Sequence, residues 1–155
     1  MQFPTTKLRD GIQRPLMMLH LKSANGRRVN VDALVDTGAD ISLFSFSTAA
    51  QLGIDLTNAP ELPIGSAIGA LTTYRTAEVT VEIRRPPEVY RWQTTVGFVP
   101  HRMAYAMLGT RGFFEFFRLA YDASASSFEI EPSSSFPRTP DRHPTNFTPP
   151  VVPGT

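Results

Sequence analysis

One short segment of the chain has residue types whose order suits acid–base chemistry. It covers residues 33–42 and reads Ala-Leu-Val-Asp-Thr-Gly-Ala-Asp-Ile-Ser. An apolar run ends in Asp36, and Thr37 and Gly38 form a turn directly after it, so the carboxylate is placed where it could accept or donate a proton. The alternative is a strand-to-turn corner in which Asp36 only hydrogen-bonds the backbone. The buried strand before the triplet and the second apolar segment after it favour the catalytic interpretation.

The Asp-Thr-Gly triplet alone is weak support for catalysis. Average residue usage would produce it by chance in roughly a few per cent of chains of this length. The other possible sites are weaker still. The sequence has no cysteine, which excludes disulfides, thiol catalysis and cysteine-bound metals. His20, His101 and His143 are far apart and lack ligand spacing, so neither a metal site nor a cofactor is expected. No Gly-x-Ser-x-Gly motif signals a serine nucleophile.

The composition indicates one globular domain without a strong electrostatic preference. The chain has 155 residues, 41% of them hydrophobic, and a formal net charge of +1, which is enough for one core. So small a net charge gives no reason to expect a nucleic-acid or membrane partner. The densest basic pairs, Arg27-Arg28 and Arg84-Arg85, are interpreted as solvated turns rather than a phosphate-binding patch.

The sequence shows neither a signal peptide nor a membrane-spanning segment. Residues 1–10 lack the apolar region of a signal peptide, and no run approaches the length needed to span a bilayer. A soluble protein is therefore expected, and a cytoplasmic location is favoured. Whether the chain is a fragment of a longer or membrane-anchored precursor stays open.

Strand signals dominate the part of the chain around the candidate site. The apolar run 16–21, an Asn-Gly turn and the segment 29–35 predict a hairpin whose second strand ends at Asp36. That strand should be exposed on one face at its start and buried on both faces at its end. A helix is predicted over 45–52, with Ser45 or Ser47 as N-cap and Gly53 as its end.

The remaining segments complete a β-rich chain with a polar tail. They are a loop at 60–63, a hairpin over 64–83, a turn at 84–88, strands at 90–99, 107–108, 119–121 and 128–130, and a helical turn at 113–117. The phenylalanines of 113–117 are expected in the core. Residues 132–155 are rich in proline, serine and threonine and are predicted to be disordered.

Several of these segments resemble the retropepsin family, the retroviral-type aspartic proteases and their cellular single-domain relatives. The resemblance covers about residues 15–131. Residues 33–42 are similar to the active-site signature with almost no departure. Gly-Ser-Ala-Ile-Gly-Ala at 65–70 resembles the flap, a mobile hairpin over the substrate, and Ala-Met-Leu-Gly at 106–109 resembles the segment beneath the active-site loop. Relatives usually continue that glycine with Arg-Asn, Arg-Asp or Leu-Asp, whereas Thr-Arg-Gly follows here.

The resemblance implies an all-β fold, a small closed barrel with one or two short helices. The expected parts are an N-terminal segment at 1–14, a protease domain at 15–131 and a tail at 132–155. The implied activity is cleavage of extended polypeptides by two close carboxylates that share one proton, one acting as base on a water and the other as acid. Because the chain has a single Asp-Thr-Gly and no Asp-Ser-Gly, a homodimer is expected in which each copy supplies Asp36.

The resemblance also assigns roles to individual residues. The catalytic residues are Asp36, Thr37 and Gly38, with the Thr37 hydroxyl bracing the two loops across the dimer axis and Gly38 allowing close backbone approach. The substrate is expected to bind as an added strand. The residues assigned to substrate binding are Ala39, Asp40, Ile68, Gly69 and Ala70.

Two points stay open at this level. Relatives often pair the second acidic residue of the signature with an arginine, which would require Asp40 to reach Arg111 despite the shift of one position. The chain could also be a catalytically silent module on the same fold that binds peptides or dimerises. The intact Asp-Thr-Gly argues against a silent module, because binding alone has no need of paired carboxylates.

Overall fold

The computed structural model describes residues 1–65 and 71–137. Within these ranges the chain forms twelve strands and one helix, so the all-β prediction is confirmed. In chain order the elements are β1 (Gln2–Pro4), β2 (Thr6–Lys7), β3 (Gln13–Arg14), β4 (Leu16–Lys22), β5 (Arg28–Val35), β6 (Leu43–Ser45), α1 (Phe46–Leu52), β7 (Glu61–Gly65), β8 (Leu71–Arg85), β9 (Glu88–Val99), β10 (Ala106–Leu108), β11 (Phe117–Asp122) and β12 (Ser127–Pro132).

The main sheet closes into a six-stranded barrel. Its strand order is β4-β5-β10-β6-β9-β8, the ring closes by pairing of β4 with β8, and β7 adds to the outside of β8. Alternate side chains of each strand point inward, as the two-residue period of a strand requires. Leu21, Val81 and Trp92, which are paired across β4, β8 and β9, are all buried. Closure gives every strand of the ring a neighbour on both sides over at least part of its length.

The hairpin that carries Asp36 forms where the sequence predicted it. β4 and β5 are antiparallel from Leu16↔Leu34 to Lys22↔Arg28, and the turn is closed by the Gly26 N–H donating to Ser23 O at 2.9 Å. The first half of β5 alternates between exposed and partly buried side chains, and its last three residues are buried or half-buried. The predicted change in burial along this strand is therefore confirmed.

Helix α1 also has its predicted limits. Ser45 is the N-cap, its hydroxyl accepting from the Thr48 N–H at 3.3 Å, and the helix ends at Gly53 with φ 65°. Ser45 rather than Ser47 therefore caps the helix. Within the described residues no helix is both long enough and apolar enough to cross a membrane.

Two predicted connections are wrong in their extent. Residues 60–63 were expected to form a loop, but β7 begins at Glu61, which pairs with Arg75. The proline at position 63 is tolerated because β7 is an edge strand, where a missing N–H can face away from the sheet. The turn predicted at 84–88 is shorter than expected: β8 continues through Arg85, β9 begins at Glu88, and only Pro86 and Pro87 lie between them.

Both ends of the described chain pack against the barrel. β1, β12 and β11 form a three-stranded sheet, in which Phe3 stacks on Phe128 with 5.3 Å between the ring centroids. Of residues 1–14, expected from the sequence to be an N-terminal segment, Met1 and Phe3 are buried in the main core. Beyond residue 131, the Ser133 N–H donates to Phe116 O at 2.7 Å and the Phe136 ring lies 5.1 Å from the ring of Phe117.

Ending the chain after Pro132 should therefore destabilise the fold. It removes the half-buried Phe136 ring, which contacts Trp92 and Tyr90 as well as Phe117. Half-burial of such a ring together with its aromatic contacts contributes about 2 kcal/mol. Urea unfolding of chains ending at 132 and at 137 measures the difference. Equal stabilities would contradict the packing of Phe136.

Candidate functional site

Asp36 lies at the point where two parallel strands of the barrel end together. β5 and β10 are parallel and paired from Ala33↔Ala106 to Val35↔Leu108. The Asp36 N–H then donates to Leu108 O at 3.0 Å, so the strand pairing extends up to the aspartate. The backbone of Asp36 is therefore held by the sheet, while its half-buried side chain lies at the sheet's end.

The loop after Asp36 orients its carboxylate. The Gly38 N–H donates to Asp36 Oδ1 at 2.9 Å, and the Ala39 N–H donates to Asp36 O at 3.2 Å. A Cβ on Gly38 would lie only 3.3 Å from Asp36 Oδ1, a spacing that would displace the carboxylate by a few tenths of an ångström. Thr37 and Gly38 are exposed, so the carboxylate is held on one side and approachable from another.

The same local turn occurs elsewhere, so it does not by itself distinguish Asp36. Asp10 accepts from the Ile12 N–H at 2.9 Å, and Asp55 accepts from the Thr57 N–H at 2.8 Å. These hydrogen bonds lower the pKa of both carboxyl groups; for Asp55 the Thr57 hydroxyl is the larger cause and its N–H the second. Asp36 differs from them in its position at the end of β5, against Leu108.

The segment after β10 supports the Asp36 loop from below through backbone contacts. The Thr110 N–H donates to Ala39 O at 2.8 Å and the Arg111 N–H donates to Asp40 O at 3.0 Å. A Cβ on Gly109 would lie 2.6 Å from Ala39 O and 2.7 Å from Ile41 O. These distances are too short for any side chain, so the close packing of the two segments requires glycine at position 109.

Ser42 joins the Asp36 loop to both neighbouring segments. It is 1% exposed, and its hydroxyl accepts from the Gly109 N–H at 3.1 Å. Its N–H donates to Arg111 O at 2.8 Å, and its carbonyl accepts from the Gly97 N–H at 2.9 Å. The sequence placed Ser42 in the candidate segment but had no signal for this role, because its partners lie more than fifty residues away.

The ion pair between Asp40 and Arg111, which the sequence left open, does not form: neither residue takes part in any ion pair among the described residues. Instead Arg111 Nη2 lies 3.5 Å from Tyr74 Oη, and Asp40 meets Arg111 only through the backbone. The parallel bridge Ile41↔Arg111 aligns the two segments main chain to main chain.

Arg111→Ala should accordingly change stability only slightly. The side chain is exposed and has one marginal contact, so we expect a loss below about 1 kcal/mol. Breaking a buried pair with Asp40 would instead cost roughly 3–5 kcal/mol. Denaturant unfolding of Arg111→Ala, Asp40→Asn and the double variant distinguishes the two cases. A coupling energy well above the error of the double-mutant cycle would show that the pair forms after all.

A second small hydrophobic cluster joins the β7–β8 hairpin to the strand after the loop. Ile41, Leu43, Tyr74 and Val99 are buried together, with Ile64 among the side chains packed against them. The hairpin's last described pair is Gly65↔Leu71. Ile68, Gly69 and Ala70, assigned to substrate binding from the sequence, lie outside the described residues.

The structure thus places five of the sequence-assigned residues, 36–40, in one loop. Asp36, Thr37 and Gly38 are at its start, and Ala39 and Asp40 are where it meets the supporting segment. Within the part of the chain that is described, no three His, Asp or Glu side chains form a group suited to a metal ion.

Of the phenylalanines expected in the core, Phe113 and Phe117 are buried, and Phe114 and Phe116 are half-buried.

The chain matches the sequence profile of a protein family described as aspartyl protease, over residues 22–111. The match contains the Asp36 loop, the β7–β8 hairpin and the supporting segment through Arg111. Among curated protein sequences, none is similar enough to this chain to count as a match.

Two solved structures are similar to the chain. A retropepsin-like aspartic protease from Rickettsia conorii has 17% sequence identity and a TM-score of 0.56, with 83% of this chain and 88% of that chain covered. At this sequence identity the similarity concerns the fold alone, and it supports a retropepsin-like fold for this chain. EIAV protease, in complex with the inhibitor HBY-793, has 20% identity and a TM-score of 0.39, with 62% of this chain and 81% of that chain covered.

Proposed function

Because the chain belongs to the aspartyl protease family, we propose that it is an endopeptidase that hydrolyses peptide bonds in extended polypeptide segments. The observation that carries the proposal is the placement of Asp36. Its backbone is paired to Leu108 at the end of the sheet, and its carboxylate is oriented by the Gly38 N–H. A carboxylate held in one orientation needs little reorganisation before it takes part in proton transfer.

Hydrolysis by this route needs a second carboxylate beside the first. Two carboxylates in close contact cannot both ionise, so the pair holds one proton and presents a base to a water and an acid to the peptide carbonyl. One Asp-Thr-Gly is present per chain. We therefore propose a twofold homodimer in which the second Asp36 comes from the other copy. The exposure of Thr37 and Gly38 is compatible with contact between the two loops.

The substrate would lie as a strand between the Asp36 loop and the β7–β8 hairpin. Ile64 and Tyr74 hold the described part of that hairpin against the cluster around Ile41. Ala39 and Asp40 would then contact the peptide, and Ile68, Gly69 and Ala70 are proposed to bind it as well. This arrangement uses the β-addition mode, in which main-chain hydrogen bonds provide affinity and side-chain pockets provide selectivity.

The pH dependence of cleavage tests this function. A dyad that shares one proton should give a bell-shaped profile whose two apparent constants belong to the pair. The rate should fall on the alkaline side as the shared proton is lost, so the optimum is expected at acidic to near-neutral pH. Initial rates on an unfolded polypeptide across this range measure it. A rate that climbs through alkaline pH would contradict the dyad, and saturable peptide binding without cleavage would favour the silent module.

A further inference from the structure

A basic pocket lies on the outer face of the barrel, away from the candidate site. Leu21, Val81 and Trp92 point into the core, so their neighbours along β4, β8 and β9 point outward. The outward row contains the paired residues His20, Glu82 and Arg91. His20 is also paired with Asn30 on β5, six residues before Asp36, which places the row about 20 Å from the candidate site at the rise of a strand.

The pocket has a volume of about 240 Å³, and most of its polar lining residues are basic. Its charged and titratable lining residues are Lys22, Arg28, Arg84, Arg91, His20 and Glu82. Counting histidine as neutral, four cations against one carboxylate give the pocket a charge of +3. Since the whole chain carries +1, the other residues together carry −2. The pocket is therefore net positive, whereas the rest of the chain is net negative.

Glu82 holds two of these arginines in place. Its side chain is 8% exposed and forms ion pairs with both Arg84 and Arg91. Burial, the largest influence, raises the pKa of Glu82, but hydrogen bonds from Arg91 and Arg84 outweigh it and the pKa is below its ordinary value. Arg91 uses Nε and Nη2 for the carboxylate and Arg84 uses Nε. A guanidinium has five N–H donors, so each arginine keeps donors for another partner.

The other two cations are arranged unfavourably unless an anion is present. Lys22 and Arg28 are directly paired across β4 and β5, and like charges in that position destabilise a sheet. Neither takes part in an ion pair among the described residues. The sequence predicted that the basic pairs Arg27-Arg28 and Arg84-Arg85 lie in solvated turns. Instead, Arg28 is part of β5 and Arg84 is part of β8, and both side chains line this pocket.

From these contacts we propose that the basic pocket binds a phosphate group. A phosphate dianion offers several acceptor oxygens to the free guanidinium donors, and its charge compensates the repulsion between Lys22 and Arg28. The volume is several times that of one water, so the phosphate can be inorganic or part of a small phosphorylated molecule. This site is independent of the proposed peptide hydrolysis, because none of its residues belongs to the Asp36 loop.

The test is a titration with inorganic phosphate, glycerol phosphate and a nucleoside monophosphate at constant ionic strength. Binding is followed by backbone amide NMR shifts, which locate the site on β4, β5, β8 and β9. Saturable shifts there are expected for at least one of the three probes, and their comparison distinguishes free phosphate from a phosphorylated molecule. If no probe gives saturable shifts in this region, the proposal is overturned.

The variant Lys22→Gln/Arg28→Gln tests the role of the basic side chains. Neither residue contacts Glu82 through an ion pair, so the substitution leaves no buried carboxylate without its partners. Affinity for the tightest probe should fall at least tenfold. The matched control Arg102→Gln/Arg118→Gln removes the same charge from exposed residues outside the pocket and should keep wild-type affinity. An equal loss of affinity in both variants would show that binding depends only on the net charge of the protein, and would overturn the proposal.

Discussion

Asp36→Asn should abolish peptide hydrolysis and leave the fold intact. The amide oxygen can still accept from the Gly38 N–H, as Asp36 Oδ1 does at 2.9 Å, so the loop keeps its shape. The amide cannot share a proton as a carboxylate does, and loss of acid–base catalysis costs about 10²–10⁴-fold. Rates of cleavage of an unfolded polypeptide, together with melting temperatures, measure both effects.

Asp55→Asn is the matched control for this substitution. Asp55 accepts a backbone hydrogen bond two residues on, from Thr57, in the same kind of turn. It should therefore report any effect of the asparagine on turn geometry, and its activity should equal that of the wild type. Substantial activity in Asp36→Asn would exclude Asp36 from the chemistry, whatever the fold.

Mixing wild-type chains with Asp36→Asn chains tests whether the site is shared. With equal amounts and complete subunit exchange, only about half of the wild-type chains find a wild-type partner, and mixed dimers should be inactive. Activity per wild-type chain should therefore fall by about half. Dilution of the wild type alone should lower activity per chain through mass action. No change in either experiment, with exchange confirmed, would place the whole site within one chain.

Gly109→Ala should have the second-largest effect. The new Cβ would lie 2.6 Å from Ala39 O and 2.7 Å from both C and O of Ile41. All three atoms belong to backbone, so the Asp36 loop or its support must move. Overpacking of this kind costs about 1–3 kcal/mol, and displacement of a catalytic group by about 1 Å can lower activity about 100-fold. Melting temperature and kcat/KM measure the two effects.

Gly26→Ala separates loss of stability from loss of activity. Gly26 has φ +87°, and a Cβ added there would have no atom within 4 Å. Alanine at this position therefore strains the backbone but causes no steric clash. It should cost about 1–2 kcal/mol and leave kcat/KM unchanged at temperatures where the protein is folded. Wild-type kcat/KM in Gly109→Ala would mean that the segment after β10 does not position the Asp36 loop.

The sequence alone determined the local elements around Asp36, because their signals lie within a few residues of each other. The Asn25-Gly26 turn and the burial pattern along β5 depend on short-range hydrogen bonds and on the period of side chains along a strand. For the N-cap of α1 the sequence left Ser45 and Ser47 open, and the structure selected Ser45. The order Asp36-Thr37-Gly38 after a buried strand was enough to identify the candidate loop. The same local patterns indicated a β-rich chain, and the resemblance to the family implied the all-β barrel.

Only the tertiary structure decided which distant residues meet this loop and which do not. Ser42 joins positions 97, 109 and 111, and Arg111 reaches Tyr74 rather than Asp40, because strand register and barrel closure set these contacts. The same closure brings Arg28 and Arg84 to one pocket, although more than fifty residues separate them. Sequence periodicity tells which face of a strand a side chain occupies, but not which strand lies beside it. That choice depends on the free energy of the whole packed barrel, to which every strand contributes.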